Sequence, residues 1–207
     1  MQGRFITIEG SEGAGKSTMM ARVAGWLESQ GRRVVRTREP GGTVLAEKLR
    51  DILLDRNHIE LSGRAELLLM FAARAQHLDE LIRPSLERGD WVLCDRFTDA
   101  TWAYQGGGRG LPLQEIATLE SLVHGDLQPD LTLLLDLPVA LGLQRAAERS
   151  QADRFEAESV LFFEKVRKAY LERARLDPER MRVIDASVGM DEVWSHVLSE
   201  LQERLQT

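Results

Sequence analysis

The octapeptide GSEGAGKS at residues 10 to 17, directly after the apolar run FITIE, constrains the fold of this chain more than any other feature. Gly10, Gly15, Lys16 and Ser17 satisfy G-x-x-x-x-G-K-S/T in the context that gives the pattern its mechanism, a strand entering a loop and a helix leaving it. Glycines at 10, 13 and 15 let the backbone turn its N–H groups inward toward a phosphate, and the helix that follows adds its positive end. Lys16 is expected to bridge the β- and γ-phosphates of a nucleoside triphosphate and Ser17 to bind Mg2+, with Ser11, Ala14 and Thr18 in the same binding segment.

Glu12 sits in the middle of this loop, where negative phosphate oxygens belong. Aimed into the cradle, its carboxylate would oppose the nucleotide by about 1 to 4 kcal/mol at effective protein dielectrics. It is therefore expected to point away, either toward the place of a phosphate acceptor or into solvent at the loop tip.

Beyond the loop, apolar runs of strand length occur at residues 5 to 8, 34 to 37, 91 to 94, 131 to 137 and 182 to 184. Helical periodicity fills the gaps: residues 16 to 29, 43 to 54, 64 to 88, 112 to 124, 138 to 149, 156 to 175 and 190 to 205. Strands apolar on both faces that alternate with helices predict a three-layer α/β/α fold around a five-stranded parallel sheet. With 207 residues and no linker-like stretch, the chain is expected to form a single P-loop domain with a small lid at about 142 to 157, where charged and small residues replace large apolar anchors. A second carboxylate is needed to hold the metal ion through water. Asp95, which ends WVLC and precedes Arg96, is preferred over Asp136, a candidate support in the same crevice.

The formal charge of −6 argues against nonspecific binding to nucleic acid or anionic membranes, which demands a cationic surface. No apolar run approaches the roughly 18 residues that span a bilayer, MQGRFITIEG runs straight into a strand without a leader pattern, and the single cysteine, Cys94, excludes an intrachain disulfide. A cytoplasmic location is expected. Neither N-K-x-D nor D-x-x-G occurs, which removes a guanine-nucleotide switch and leaves a small-metabolite kinase, with a nucleotide-dependent regulatory ATPase as the rival from another class.

The segments FITIEGSEGAGKST, TREPGGT, FAARAQH, DRF, AYQGGGRG, LTLLLDL and DRFE follow one another in the order seen in bacterial thymidylate kinases, and together the chain resembles that family. The resemblance implies transfer of the γ-phosphoryl group of ATP to dTMP with Mg2+, in a homodimer. It implies that Arg96 and Arg50 hold the acceptor phosphate, that Glu39 lies near it, and that Phe71 and Arg74 meet the thymine as stacking ring and O4 partner, with Met70 a competitor for the aromatic role. It also implies that Thr101 and Gln105 read the base edge and that Tyr104 lies against the sugar and excludes a 2′-hydroxyl. Family members without an arginine in the phosphate loop draw that charge from the lid. Here Arg149 and Arg154 are the lid candidates, and Glu12 is then left to contact the 3′-hydroxyl. Arg145 and the turn DASVG are the candidates for adenine. Because an acceptor phosphate is already an anion, no general base is required, and His58, His77, His124 and His196 are expected to have no catalytic task.

Overall fold

The structure is a computed structural model and describes residues 3–55, 61–148, 154–155 and 158–205. Five strands, β1 (Phe5–Glu9), β2 (Val34–Arg38), β3 (Trp91–Asp95), β4 (Leu131–Asp136) and β5 (Met181–Asp185), form one sheet in the order β2-β3-β1-β4-β5. Every pairing is parallel, with Phe5 opposite Val92 and Ile6 opposite Leu131. Strand residues alternate between two buried layers. Ile6, Ile8, Leu93 and Leu133 pack on α1 (Lys16–Ser29) and α9 (Met190–Leu205), and on the other face Val92 and Cys94 join Phe5 while Leu134 packs on α8 (Val160–Leu176). The predicted three-layer α/β arrangement is present. From β1 the chain runs outward to β2 and back to β3 beside β1, then crosses to β4 on the other side of β1, and this reversal opens a crevice at the carboxyl ends of the strands.

Two stretches depart from the predicted elements. The helix expected over 64 to 88 is α3 (Gly63–His77), a π-helical turn at Leu78–Ile82, and α4 (Arg83–Glu87). Pro84 lacks a backbone N–H and crowds the carbonyl one turn earlier, so the helix widens before it. Residues 98 to 108, left without an element in the sequence reading, form the short α5 (Thr98–Thr101) and a π-helical segment, Trp102–Gly108. Its three glycines are poor helix formers, but they permit close packing on α8: a Cβ on Gly107 would lie 2.6 Å from that of Ala169. The remaining helices are α2 (Val44–Leu54), α6 (Leu113–His124) and α7 (Val139–Ala147). The helix expected from 156 starts at Val160, where the Ser159 side chain accepts a hydrogen bond from the Phe162 N–H. Among the described residues no helix is long and apolar enough to cross a membrane.

Candidate active site

The loop after β1 turns through left-handed backbone at Gly13 and Gly15, with φ of 73° and 86°. A side chain at Gly13 would collide with the Gly142 carbonyl of α7, so the loop and that helix are in backbone contact. Lys16 is buried and curls back, its Nζ donating to the Gly10 and Ser11 carbonyls at 3.0 and 3.1 Å. Burial, and then the Arg96 charge, press its ammonium below its ordinary value. Glu12, Gly13, Ala14, Gly15, Lys16 and Ser17 line a cavity of about 340 Å³. Gly10, Ser11 and Thr18 do not line it; Gly10 and Ser11 instead hold Lys16, and Thr18 is exposed on the first turn of α1.

Glu12 does not face into the loop. Its Oε1 accepts from Arg96 Nη2 at 2.5 Å and from the Tyr104 hydroxyl at 3.0 Å. Burial pushes the Tyr104 phenol well above its ordinary value against the pull of Arg96, so it stays a donor. Arg96 itself has a left-handed backbone, φ 68°, uncommon for a residue with a Cβ, and its guanidinium lies 4.9 Å from the Tyr104 ring centroid. Glu9, not singled out from the sequence, secures this bend: its Oε1 accepts from the Phe97 N–H at 2.6 Å and its Oε2 from the Tyr170 hydroxyl at 2.7 Å. Tyr170 in turn accepts from Arg96 Nη1 at 3.3 Å. Burial, reinforced by the Asp99 charge, pushes the Glu9 carboxyl up to about 8.

Asp95 and Ser17 both line the cavity, and Asp95 Oδ1 is buried without a hydrogen-bond partner. An orphaned carboxylate oxygen and a hydroxyl at one phosphate loop suit magnesium, which prefers oxygen donors and keeps several waters. Among the described residues no group of three His, Cys, Asp or Glu is placed to hold a metal ion by itself. Asp136 is instead held by Arg167 through paired bonds of 2.8 and 2.9 Å and does not line the cavity.

On the opposite wall, α3 contributes Met70 and Arg74. The Arg74 guanidinium is buried; its Nε donates to Glu39 Oε2 at 2.7 Å and its Nη2 to Thr101 Oγ1 at 2.9 Å, while Nη1 has no partner. Burial pushes the Glu39 carboxyl up, but the Arg74 charge and the bond from His77 outweigh it and hold it below the ordinary value. His77, expected to have no catalytic task, is buried, with its Nδ1 3.0 Å from Glu39 Oε1 and its Nε2 2.7 Å from Thr37 Oγ1. Arg50 lines the cavity and donates to the Pro40 carbonyl at 2.9 Å, and Gln105 and Tyr104 line it from the π-helical segment.

Phe71 is not where the resemblance implied. It is buried against Leu67 and Ile116, outside the cavity, and its ring backs the Arg74 guanidinium at 4.8 Å. Met70, a full turn from Arg74, faces the crevice in its stead.

Of the lid candidates, Arg149 lies outside the described residues, as do Asp153 and Glu156 of DRFE and His58. Arg154 does not line the cavity: its Nε donates to the Leu53 carbonyl at 2.7 Å and its Nη2 to Glu66 Oε2 at 2.6 Å, while Phe155 contributes to the cavity wall. Arg145 donates to the Ala186 and Ser187 carbonyls at 2.8 and 3.3 Å, which brings the two adenine candidates together.

The thymidylate kinase family model matches residues 8–197. A thymidylate kinase of Pseudomonas savastanoi pv. phaseolicola is 57% identical over 206 residues, covering 100% of this chain and 98% of that protein. One of Chromohalobacter salexigens is 58% identical over 205 residues, covering 98% and 97%. Among solved structures, the thymidylate kinase of Ehrlichia chaffeensis superposes with a TM-score of 0.79 at 34% identity, covering 98% of this chain and 100% of that one.

Proposed function

The chain belongs to the thymidylate kinase family and is a dTMP kinase, and we propose that it joins ATP and dTMP end to end in the crevice between the phosphate loop and α3. The observation that carries this reading is the position of Glu12. Glu12 of the phosphate loop is hydrogen-bonded to Arg96 at the end of β3 and to Tyr104 of the π-helical segment, so in this reading the donor and acceptor subsites share a boundary.

Lys16 and the loop N–H groups take the β- and γ-phosphates of ATP, and Arg145 with the 185–189 turn meets the adenine. Ser17 and Asp95 would hold Mg2+, whose positive charge would offset that of the phosphate oxygens. Arg96, supported by Arg50, holds the dTMP phosphate by paired hydrogen bonds. Its orientation is already set by Glu12 and Tyr170. Tyr104 closes the sugar side, where the Glu12 carboxylate is within reach of the 3′-hydroxyl. Arg74, held rigid by Glu39 and Thr101, offers its spare Nη1 to the thymine O4, and Gln105 meets the ring N–H beside it. Since the dTMP phosphate is already a nucleophilic anion, alignment and charge neutralisation carry the transfer.

The lid, residues 142–157 with Arg149 and Arg154, closes this crevice over the phosphates in the same proposal, which requires Arg154 to exchange Glu66 for the transferring group. A homodimer built on α3, which leaves Leu68 57% exposed, and a cytoplasmic location, consistent with the free Cys94 thiol, belong to it as well. A coupled ADP-release assay with dTMP, dUMP, UMP, CMP and AMP tests the substrate reading. Activity concentrated on dTMP agrees with it, and equal activity on a ribonucleotide rejects it.

A further inference from the structure

Glu66 lies on α3 one turn before Met70 and two before Arg74, on the stripe that borders the crevice, yet it is fully buried and does not line the cavity. Every hydrogen bond to its carboxylate comes from a donor. Gln105 Nε2 reaches Oε1 at 2.8 Å, Arg109 reaches both oxygens at 3.3 Å, and Arg154 Nη2 reaches Oε2 at 2.6 Å. A carboxylate surrounded in this way can only accept. The Gln105 side chain must therefore turn its amino end to Glu66, which leaves its Oε1, bonded to no described residue, on the side of the cavity that Gln105 lines.

We propose that Glu66 is a positioning residue for base selectivity, fixing the Gln105 amide so that an acceptor faces the pyrimidine ring. The proposal rests on the reading that the base lies between Arg74 and Gln105. Arg74 Nη1 then presents a donor and Gln105 an acceptor, the complement of thymine O4 and N3–H. Cytosine offers the reverse, an amino group and a bare ring nitrogen, and would leave both protein groups opposed in a buried site.

The substitution Glu66→Gln keeps the volume but leaves one acceptor oxygen for which the Arg109 and Arg154 guanidiniums compete. Its amino end is then turned on Gln105, whose amide reverses and shows a donor to the crevice. The exchanged pair Glu66→Gln with Gln105→Glu restores an acceptor there, because a carboxylate at 105 can present nothing else.

The measurement is the ratio of kcat/KM for dTMP over dCMP in the parent, Glu66→Gln, Gln105→Ala and the exchanged pair, with circular dichroism and melting temperature recorded for each. A loss transmitted through Arg154 affects both substrates and cancels in the ratio. Glu66→Gln is expected to lower the ratio by about tenfold or more, and the exchanged pair to return it toward the parent value. If Gln105→Ala moves the ratio and Glu66→Gln does not, the proposal is wrong while the base reading stands. If Gln105→Ala leaves the ratio unmoved, the base reading fails and the proposal with it. Should Glu66→Gln alone not fold, the exchanged pair decides: a parent-like ratio supports the role of Glu66, and a lost preference overturns it.

Discussion

Arg96 Nη2 and Glu12 Oε1 stand 2.5 Å apart, an ion pair that ties the phosphate loop to the end of β3 across 84 residues of chain. Both side chains are largely shielded from water, with 16% and 18% of their surface exposed, so the pair is screened less than a surface one. The negative charge in the loop thus orients Arg96 and stays out of the phosphate cradle.

Substituting Glu12→Gln keeps the shape and removes the charge that holds Arg96. The expected result is a fall of about tenfold in kcat/KM for dTMP, with KM for ATP unchanged. Steady-state kinetics with each substrate varied in turn distinguish this from a loop defect, in which KM for ATP would rise instead.

Phe71 and Met70 are adjacent but serve different purposes. Phe71→Ala should destabilise the fold by about 3 to 5 kcal/mol in urea titrations, because the ring is 2% exposed and fills the layer between α3 and α6. Met70→Ala should raise KM for dTMP at smaller cost in stability, since Met70 forms part of the cavity wall. A large rise in KM for Phe71→Ala with unchanged stability would return the ring to the base-stacking role.

Arg154 is paired with Glu66 outside the cavity that the phosphate loop lines, and the proposed closure of the lid would carry it to the phosphates. Arg154→Ala is therefore expected to lower kcat by about a thousandfold while the dissociation constant for ATP stays the same. Single-turnover kinetics together with equilibrium titration separate the two quantities, and an unaltered kcat removes Arg154 from the transfer.

His124 is buried, with Nε2 2.8 Å from Thr98 Oγ1, and burial, followed by the Arg74 charge, lowers its pKa from 6.5 to about 4. Between these values the unfolded chain binds the extra proton, so the contribution is full above pH 6.5 and is lost as pH falls toward 4. At pH 5 the loss amounts to about 2 kcal/mol. In urea titrations the stability gap between the parent and His124→Gln should shrink by that amount from pH 7.5 to 5, and a constant gap would show that the imidazole titrates normally.

The strands and the phosphate loop were legible because their signals are local. An apolar run, a glycine pattern and a following helix specify β1, the loop and α1 to within a residue. The π-helical segment at Trp102–Gly108 was hidden because its glycines are selected by contact with α8, not by helix propensity. Glu9 and Glu66 were missed for a related reason. Each acts through a partner far along the chain, Glu66 through Gln105 39 residues away and Glu9 through Phe97 88 residues away, and no spacing rule connects them. A carboxylate ending an apolar strand, as in FITIE, is the one signal that could have marked Glu9.

The central claim, that the two nucleotides meet head to head across the Glu12–Arg96 pair, is tested most directly by a crystal structure of the enzyme with dTMP, a non-hydrolysable ATP analogue and Mg2+. The dTMP phosphate is expected on Arg96, facing the terminal phosphate in the loop, with the thymine between Arg74 and Gln105. Density for dTMP outside this crevice, or Glu12 turned into the phosphate loop with Arg96 released from the acceptor, would contradict the account.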